Sequence, residues 1–245
     1  MKVAVINFSG NVGKTTVARH LLLPRMPGAS LVAVETINDD QGDHASLRGN
    51  QFGDLQDYVQ TVDSVVIDIG ASNVEQLLAL MERYTGSHED FDFFIVPTVS
   101  AFKQQRDTIA TLTELRRLGV PSDKLRVVFN MVDKTEDFDR AFEPVLAFAR
   151  HSRIEGANGA CRIGLNEVYE LVKQSPVDLH VLADDGTDHK ALIAQATDTS
   201  EKLVHARRLA ARRLARGVVP ELDACFAALG LVAPCSAPAP APAAA

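Results

Sequence analysis

Apolar residues along the chain gather into short dense runs separated by longer, helix-like stretches. The runs at residues 3–8, 31–34, 64–69, 91–96 and 125–129 are rich in Val and Ile. Continuous runs of this kind are strands covered on both faces, as in a parallel sheet. Between them lie helical patterns at residues 15–23, 74–84, 103–118 and 138–150. Strand then helix, repeated, predicts an α/β fold: a mostly parallel central sheet with flanking helices and right-handed crossovers. Local signals mark the ends. Residues 24–28 hold two prolines and a glycine and stop the first helix; Ser72 stands where an N-cap would open the second. Gly119-Val120-Pro121 closes the long helix before the fifth strand.

After about residue 150 the pattern weakens. Residues 160–165 read as a short sixth strand and 167–172 as a helix. A long polar helix is expected at 190–216 and a shorter one at 221–229. Residues 1–230 are thus expected to form one domain, mainly helical from 150 to 230, with 231–245 a disordered or polyproline-like Pro/Ala tail.

Composition narrows the class. The chain has 245 residues, 46% of them apolar and 23% charged, values of an ordinary soluble globular protein. A net charge of −7 argues against nucleic-acid binding through the whole surface, while leaving room for a local basic patch. Cys161, Cys225 and Cys235 show no metal-type spacing and read as free thiols in a reducing compartment. The N-terminal apolar run meets Gly-Asn-Val-Gly-Lys rather than a cleavage site. No segment approaches the roughly 18 apolar residues of a membrane span. A cytoplasmic protein without a membrane span is expected.

The strongest chemical signal is Ser9-Gly10-Asn11-Val12-Gly13-Lys14-Thr15-Thr16, which follows a strand and opens a helix. That context is the one that confirms a phosphate-binding loop, and so a P-loop NTPase fold. Gly10 and Gly13 let the backbone wrap phosphate oxygens, with Asn11 and Val12 between them. Lys14 is expected at the β and γ phosphates, the Thr15 hydroxyl on Mg²⁺ and Thr16 at the α phosphate. The ordinary pattern wants Gly where Phe8 stands. A second element, Val65-Val66-Ile67-Asp68-Ile69-Gly70, ends an apolar strand in a carboxylate. Asp68 there orients Mg²⁺, or else only caps a turn. Asn130 ends the fifth strand, where its amide can donate to and accept from a purine edge. Asn130-Met131-Val132-Asp133 has the spacing of a guanine-reading motif with Met131 in place of Lys.

Three features read two ways. Pro97-Thr98 either lines the nucleotide side of the sheet or simply terminates a strand. Lys103, Gln104 and Gln105 either face a partner subunit or form a solvated helix face. Lys202, Arg207, Arg208, Arg212, Arg213 and Arg216 share a helix with Leu203, Leu209 and Leu214. They make either a footprint for nonspecific DNA or a solvated basic face. The seven histidines show no helix-metal spacing, so no metal beyond Mg²⁺ is expected.

The order of phosphate loop, acidic loop, Asp68 strand, Pro97-Thr98 strand and Asn130 strand resembles the ParA/MinD branch of P-loop ATPases. VETIND, VVIDIGASN, FFIVPT followed by FKQQRDTI, and LGVPSDKLRVVFNMVDK look closest to the StbB-type ATPases of plasmid stability operons. The resemblance covers roughly residues 1–150. It implies Mg²⁺-dependent binding and slow hydrolysis of ATP, with adenine read through Asn130. It also implies a homodimer formed across the nucleotides, a DNA-binding partner protein from the same operon, and a role in plasmid segregation or conjugative transfer. The acidic loop of the family positions the attacking water; here Ile37 falls near the hydrolytic Asp, so either Glu35 or Asp39 takes that role or the stretch is only a solvated acidic loop. Ser9 replaces the family's signature lysine, which contacts the partner subunit's nucleotide. Two other readings stay open: a small-molecule kinase or synthetase of the P-loop superfamily, and a nucleotide-binding adaptor that does not hydrolyse.

Overall fold

A computed structural model describes residues 1–34, 46–47, 52–173 and 178–232. Among these residues lie seven strands, β1 (Lys2–Val5), β2 (Ser30–Val34), β3 (Ser46–Leu47), β4 (Val65–Ile69), β5 (Phe93–Thr98), β6 (Leu125–Val132) and β7 (Arg162–Gly164). Every pairing is parallel, in the order β3-β2-β4-β1-β5-β6-β7. The unbroken apolar runs have the burial they imply, since every residue of β4 and β5 is buried. Alternate residues then feed two cores. Ala4, Ile67, Phe94 and Val127 face one side of the sheet, and Val3, Val5, Val66, Ile95 and Val128 face the other.

The first core is covered by α2 (Phe52–Thr61), α3 (Val74–Arg83), α4 (Phe102–Arg117) and α6 (Glu143–His151). A short α5 (Phe138–Ala141) precedes α6. The expected helix at 138–150 divides at Phe142, where Pro144 sits in the first turn of α6. α2 lies outside the expected elements, although Phe52, Leu55 and Val59 recur at helical spacing and are buried. The third helix starts at Val74 rather than at a Ser72 cap; Asn73 holds the cap position and donates its amide to the Val34 carbonyl at 3.0 Å.

The second core is covered by the first helix, α7 (Val168–Lys173), α8 (Leu179–Asp184) and α10 (Thr199–Leu229), with α9 (His189–Gln195) packed on α10. The first helix is not regular. α1 (Lys14–Thr16) passes into π turns over Val17–Leu22 and a 3-10 turn over Leu23–Arg25. The two helices expected at 190–216 and 221–229 are instead a separate α9 and one 31-residue α10 that runs through Pro220. Leu209, Ala215, Val218, Leu222, Cys225 and Leu229 are buried along it. Tertiary burial on both sides of the proline outweighs its low helix propensity. No helix among the described residues is long and apolar enough to cross a membrane. The expected Pro/Ala tail lies, from residue 233 onward, outside the described residues, and Cys235 with it.

Candidate functional site

Parallel strands put all their C-terminal ends on one edge, and the motifs found in the sequence end there together. β1 runs into the phosphate loop, β4 carries Asp68, β5 ends at Thr98 and β6 carries Asn130. Val5 is in register with Asp68 and Ile95, so the loop leaves the sheet between β4 and β5. Asn11 and Gly13 take left-handed backbone conformations, with φ of 58° and 83°. Gly13 is needed twice over, because a Cβ there would also lie 2.0 Å from the Asn130 amide nitrogen.

Lys14 is buried and folded back under the loop, donating to the carbonyls of Ser9 at 2.7 Å and Asn7 at 3.1 Å. Burial pushes its ammonium below the usual lysine pKa, and the Asp68 carboxylate partly opposes that shift. Thr15 is exposed and its hydroxyl donates to Asp68 Oδ2 at 2.6 Å. A hydroxyl and a carboxylate oxygen side by side are hard donors of the kind Mg²⁺ takes, so these residues fit that ion.

Asn130 is 2% exposed, and its amide nitrogen donates to the Val12 carbonyl at 2.9 Å. In this structure the side chain braces the phosphate loop from beneath. Asn130 also borders a cavity of about 290 Å³ with Thr16, Met131, Leu165, Asn166 and Tyr169. Met131 has a φ of 54°, a left-handed kink at the cavity's edge. Asp133 is not on this cavity. It borders a separate one of about 380 Å³ with Lys134, Arg162 and Glu221. Its Oδ1 accepts from the Thr135 backbone N–H and hydroxyl at 2.8 and 2.7 Å, bonds that hold the carboxyl below its usual pKa. The guanine-type spacing of Asn130 and Asp133 therefore does not bring them together.

A buried polar network beneath the loop is absent from the sequence reading. Asn7 donates to the Pro97 carbonyl and to Thr108 Oγ1, each at 2.8 Å, and accepts from the Ser9 N–H at 2.7 Å. The Thr108 hydroxyl lies 2.9 Å from Thr98 Oγ1, and Thr111 Oγ1 accepts from the Phe8 N–H at 3.1 Å. Thr98 is thus a fully buried link between β5 and α4 rather than a lining residue. Gln105 is buried too, donating to the Ser100 and Ala141 carbonyls, while Lys103 is exposed. The available signal was a lone Asn inside the apolar run of the first strand.

Glu35 and Asp39 lie outside the described residues. The arginines of α10 divide. Arg212 donates to the carbonyls of Asp185 and Thr187 at 2.8 and 2.6 Å, and Arg216 to that of Ala183 at 2.8 Å. Arg216 thus fastens α8, and Arg212 the segment just after it, to α10; Arg207, Arg208 and Arg213 are exposed. Among the described residues no group of three or more His, Cys, Asp or Glu could hold a metal ion.

A phosphate loop that follows a central parallel strand, with the carboxylate at the end of the neighbouring strand on its threonine, defines a P-loop NTPase fold. Within that class the chain has the fold of the ParA/MinD-type P-loop ATPases. It is similar to apo McdA of Cyanothece, with a TM-score of 0.50 and 13% identity over 75% of this chain and 93% of that one. It is also similar to the MinD cell division protein of Aquifex aeolicus, with a TM-score of 0.45 and 12% identity over 86% and 97% of the two chains. A third similar structure is a plasmid partition protein of Borrelia burgdorferi bound to AMPPNP, with a TM-score of 0.44 and 11% identity over 85% and 96%. No protein-family model and no curated protein matches the chain.

Proposed function

We propose that this chain is a Mg²⁺-dependent ATP-binding and hydrolysing switch that acts in plasmid segregation or transfer. The observation that carries the reading is the Thr15–Asp68 contact of 2.6 Å beside a buried Lys14, at the mouth of the phosphate loop. On ATP binding, Lys14 would exchange the Ser9 and Asn7 carbonyls for β- and γ-phosphate oxygens. The backbone N–H groups of residues Gly10 to Thr16 would receive the remaining oxygens. Thr15 and Asp68 would hold Mg²⁺, which when bound offsets the charge of the two outer phosphates. The preference for adenine through Asn130 rests on the sequence resemblance, and the amide's free groups are compatible with it. One of the two N–H groups of its amide nitrogen is committed to Val12, which leaves Oδ1 and the second N–H to address a base in the adjoining cavity. An acceptor and a donor together match the amino group and the neighbouring ring nitrogen of adenine.

Glu35 or Asp39 would orient the attacking water. The output is nucleotide-gated dimerisation and contact with a DNA-binding partner protein rather than rapid turnover. The plasmid role and these partners rest on the sequence resemblance over residues 1–150. The test is ATP turnover measured alone, with DNA, and with the DNA-binding protein encoded nearby. Slow turnover that needs no acceptor, and responds to DNA or that protein, supports the switch. Turnover that requires a small-molecule acceptor indicates a kinase or synthetase. Tight Mg²⁺-dependent binding with no turnover indicates an adaptor.

A further inference from the structure

Asn7 is the hinge point between β1 and the phosphate loop, and it is fully buried. Every polar atom of its side chain is used. Nδ2 donates to the Pro97 carbonyl and Thr108 Oγ1, and Oδ1 accepts from the Ser9 N–H. Its main-chain carbonyl receives Lys14 Nζ at 3.1 Å, and the neighbouring Ser9 carbonyl receives it at 2.7 Å. A carboxamide of this length offers two donors and an acceptor at one point; Asp offers no donor when ionised, and Ser is too short to reach all three partners. Since a buried polar group is stable only when satisfied, the three bonds fix the orientation of the carboxamide. They thereby fix the turn at Ser9 and the two carbonyls on which Lys14 rests. The same carboxamide is tied to β5 through Pro97 and to α4 through Thr108, so the start of the loop cannot shift without disturbing both.

We propose that Asn7 is a positioning residue for the β and γ phosphates. It acts through Ser9 and Lys14, holding the loop in the form that receives the phosphates, so that binding needs only the exchange of the Lys14 partners. A preformed site of this kind loses less on binding than one that must be ordered first. The inference rests on the ATP-binding reading and adds a residue that touches no ligand.

The experiment titrates ATP, ADP and AMP into wild type, Asn7→Asp, Asn7→Ser and Asn7→Ala, with thermal melting as the fold control. AMP lacks the phosphates that Lys14 reaches, so it reports on the rest of the site. Asn7→Asp removes both donors and adds a negative charge beside Lys14. It is expected to weaken ATP and ADP roughly tenfold or more, with AMP affected far less. Asn7→Ser keeps an acceptor for the Ser9 N–H and is expected to bind ATP better than Asn7→Ala. If the Asp variant does not fold, the order of Ser and Ala decides. Equal loss for ATP and AMP, or Ser and Ala variants that bind ATP alike, overturns the positioning role. So does an Asp variant that folds and binds ATP as wild type does. Wild type that binds none of the three overturns the nucleotide reading itself, and this inference with it.

Discussion

Lys14 rests on two carbonyls in a buried place, and its ammonium is held there below the ordinary lysine pKa by burial. Phosphate binding needs the protonated form, so ATP affinity is expected to fall as pH rises through that lowered value, at lower pH than an exposed lysine would allow. A titration series from pH 7 upward checks this; affinity that stays flat past pH 10 contradicts it. Asn130→Ala frees the Val12 carbonyl and removes the amide that borders the base cavity. The loss of one buried hydrogen bond should cost about 1–3 kcal/mol, with ATP weakened more than GTP. Equal losses for the two nucleotides would confine Asn130 to bracing the loop. The places of Lys14 and Thr15 in a strand-to-helix loop, and of Asp68 at a strand end, were legible in the sequence because each of the two motifs is local. The Asn130–Val12 bond joins residues 118 apart, and the Asn7–Thr108 bond residues 101 apart, so neither has a local signature.

Among the elements, α10 departs furthest from the sequence reading. Pro220 argues for a break, yet Val218 and Leu222 on either side of it are buried against the sheet and hold the helix together. Its basic residues also divide by what they touch. Arg216→Ala removes a bond to a carbonyl of α8, and Arg212→Ala two bonds to carbonyls of the segment just after it. Each is expected to lower stability by about 1 kcal/mol, read as a lower melting temperature. Arg207, Arg208 and Arg213 are exposed, and changing all three to Ala should leave melting unchanged. If the helix contacts DNA, that triple change should flatten the slope of log affinity against log salt by roughly 0.9 for each phosphate no longer neutralised. Unchanged melting in the Arg212 and Arg216 variants would contradict the division. α2 shows the opposite failure: its apolar spacing was present at Phe52, Leu55 and Val59, but the polar residues between them hid it.

The whole molecule is a sheet between two cores, and that much follows from Val- and Ile-rich runs with helical stretches between them. Strand order does not follow from those runs, because it is set by which neighbours bury each strand. Cys161 and Cys225 lie in the second core, where burial raises both thiols, Cys225 to about 12. In the unfolded chain a thiol ionises near about 8.5. The unfolded state thus sheds these protons first, and stability is expected to fall as pH rises from about 8.5 toward 12. Cys225→Ala should make that decline shallower, measured by denaturant unfolding across the range. In native protein at pH 8 neither thiol should react with iodoacetamide, and a modified peptide containing either residue would contradict the burial. The central claim is that the loop from Ser9 to Thr16 receives the phosphates of ATP. Its most direct measurement is a titration of labelled ATP with Mg²⁺ into wild type and Lys14→Ala, with circular dichroism confirming that both are folded. Saturable binding by wild type, weakened roughly tenfold to hundredfold in Lys14→Ala, is the predicted result. Equal affinity in the two proteins, or no binding by wild type, would contradict it.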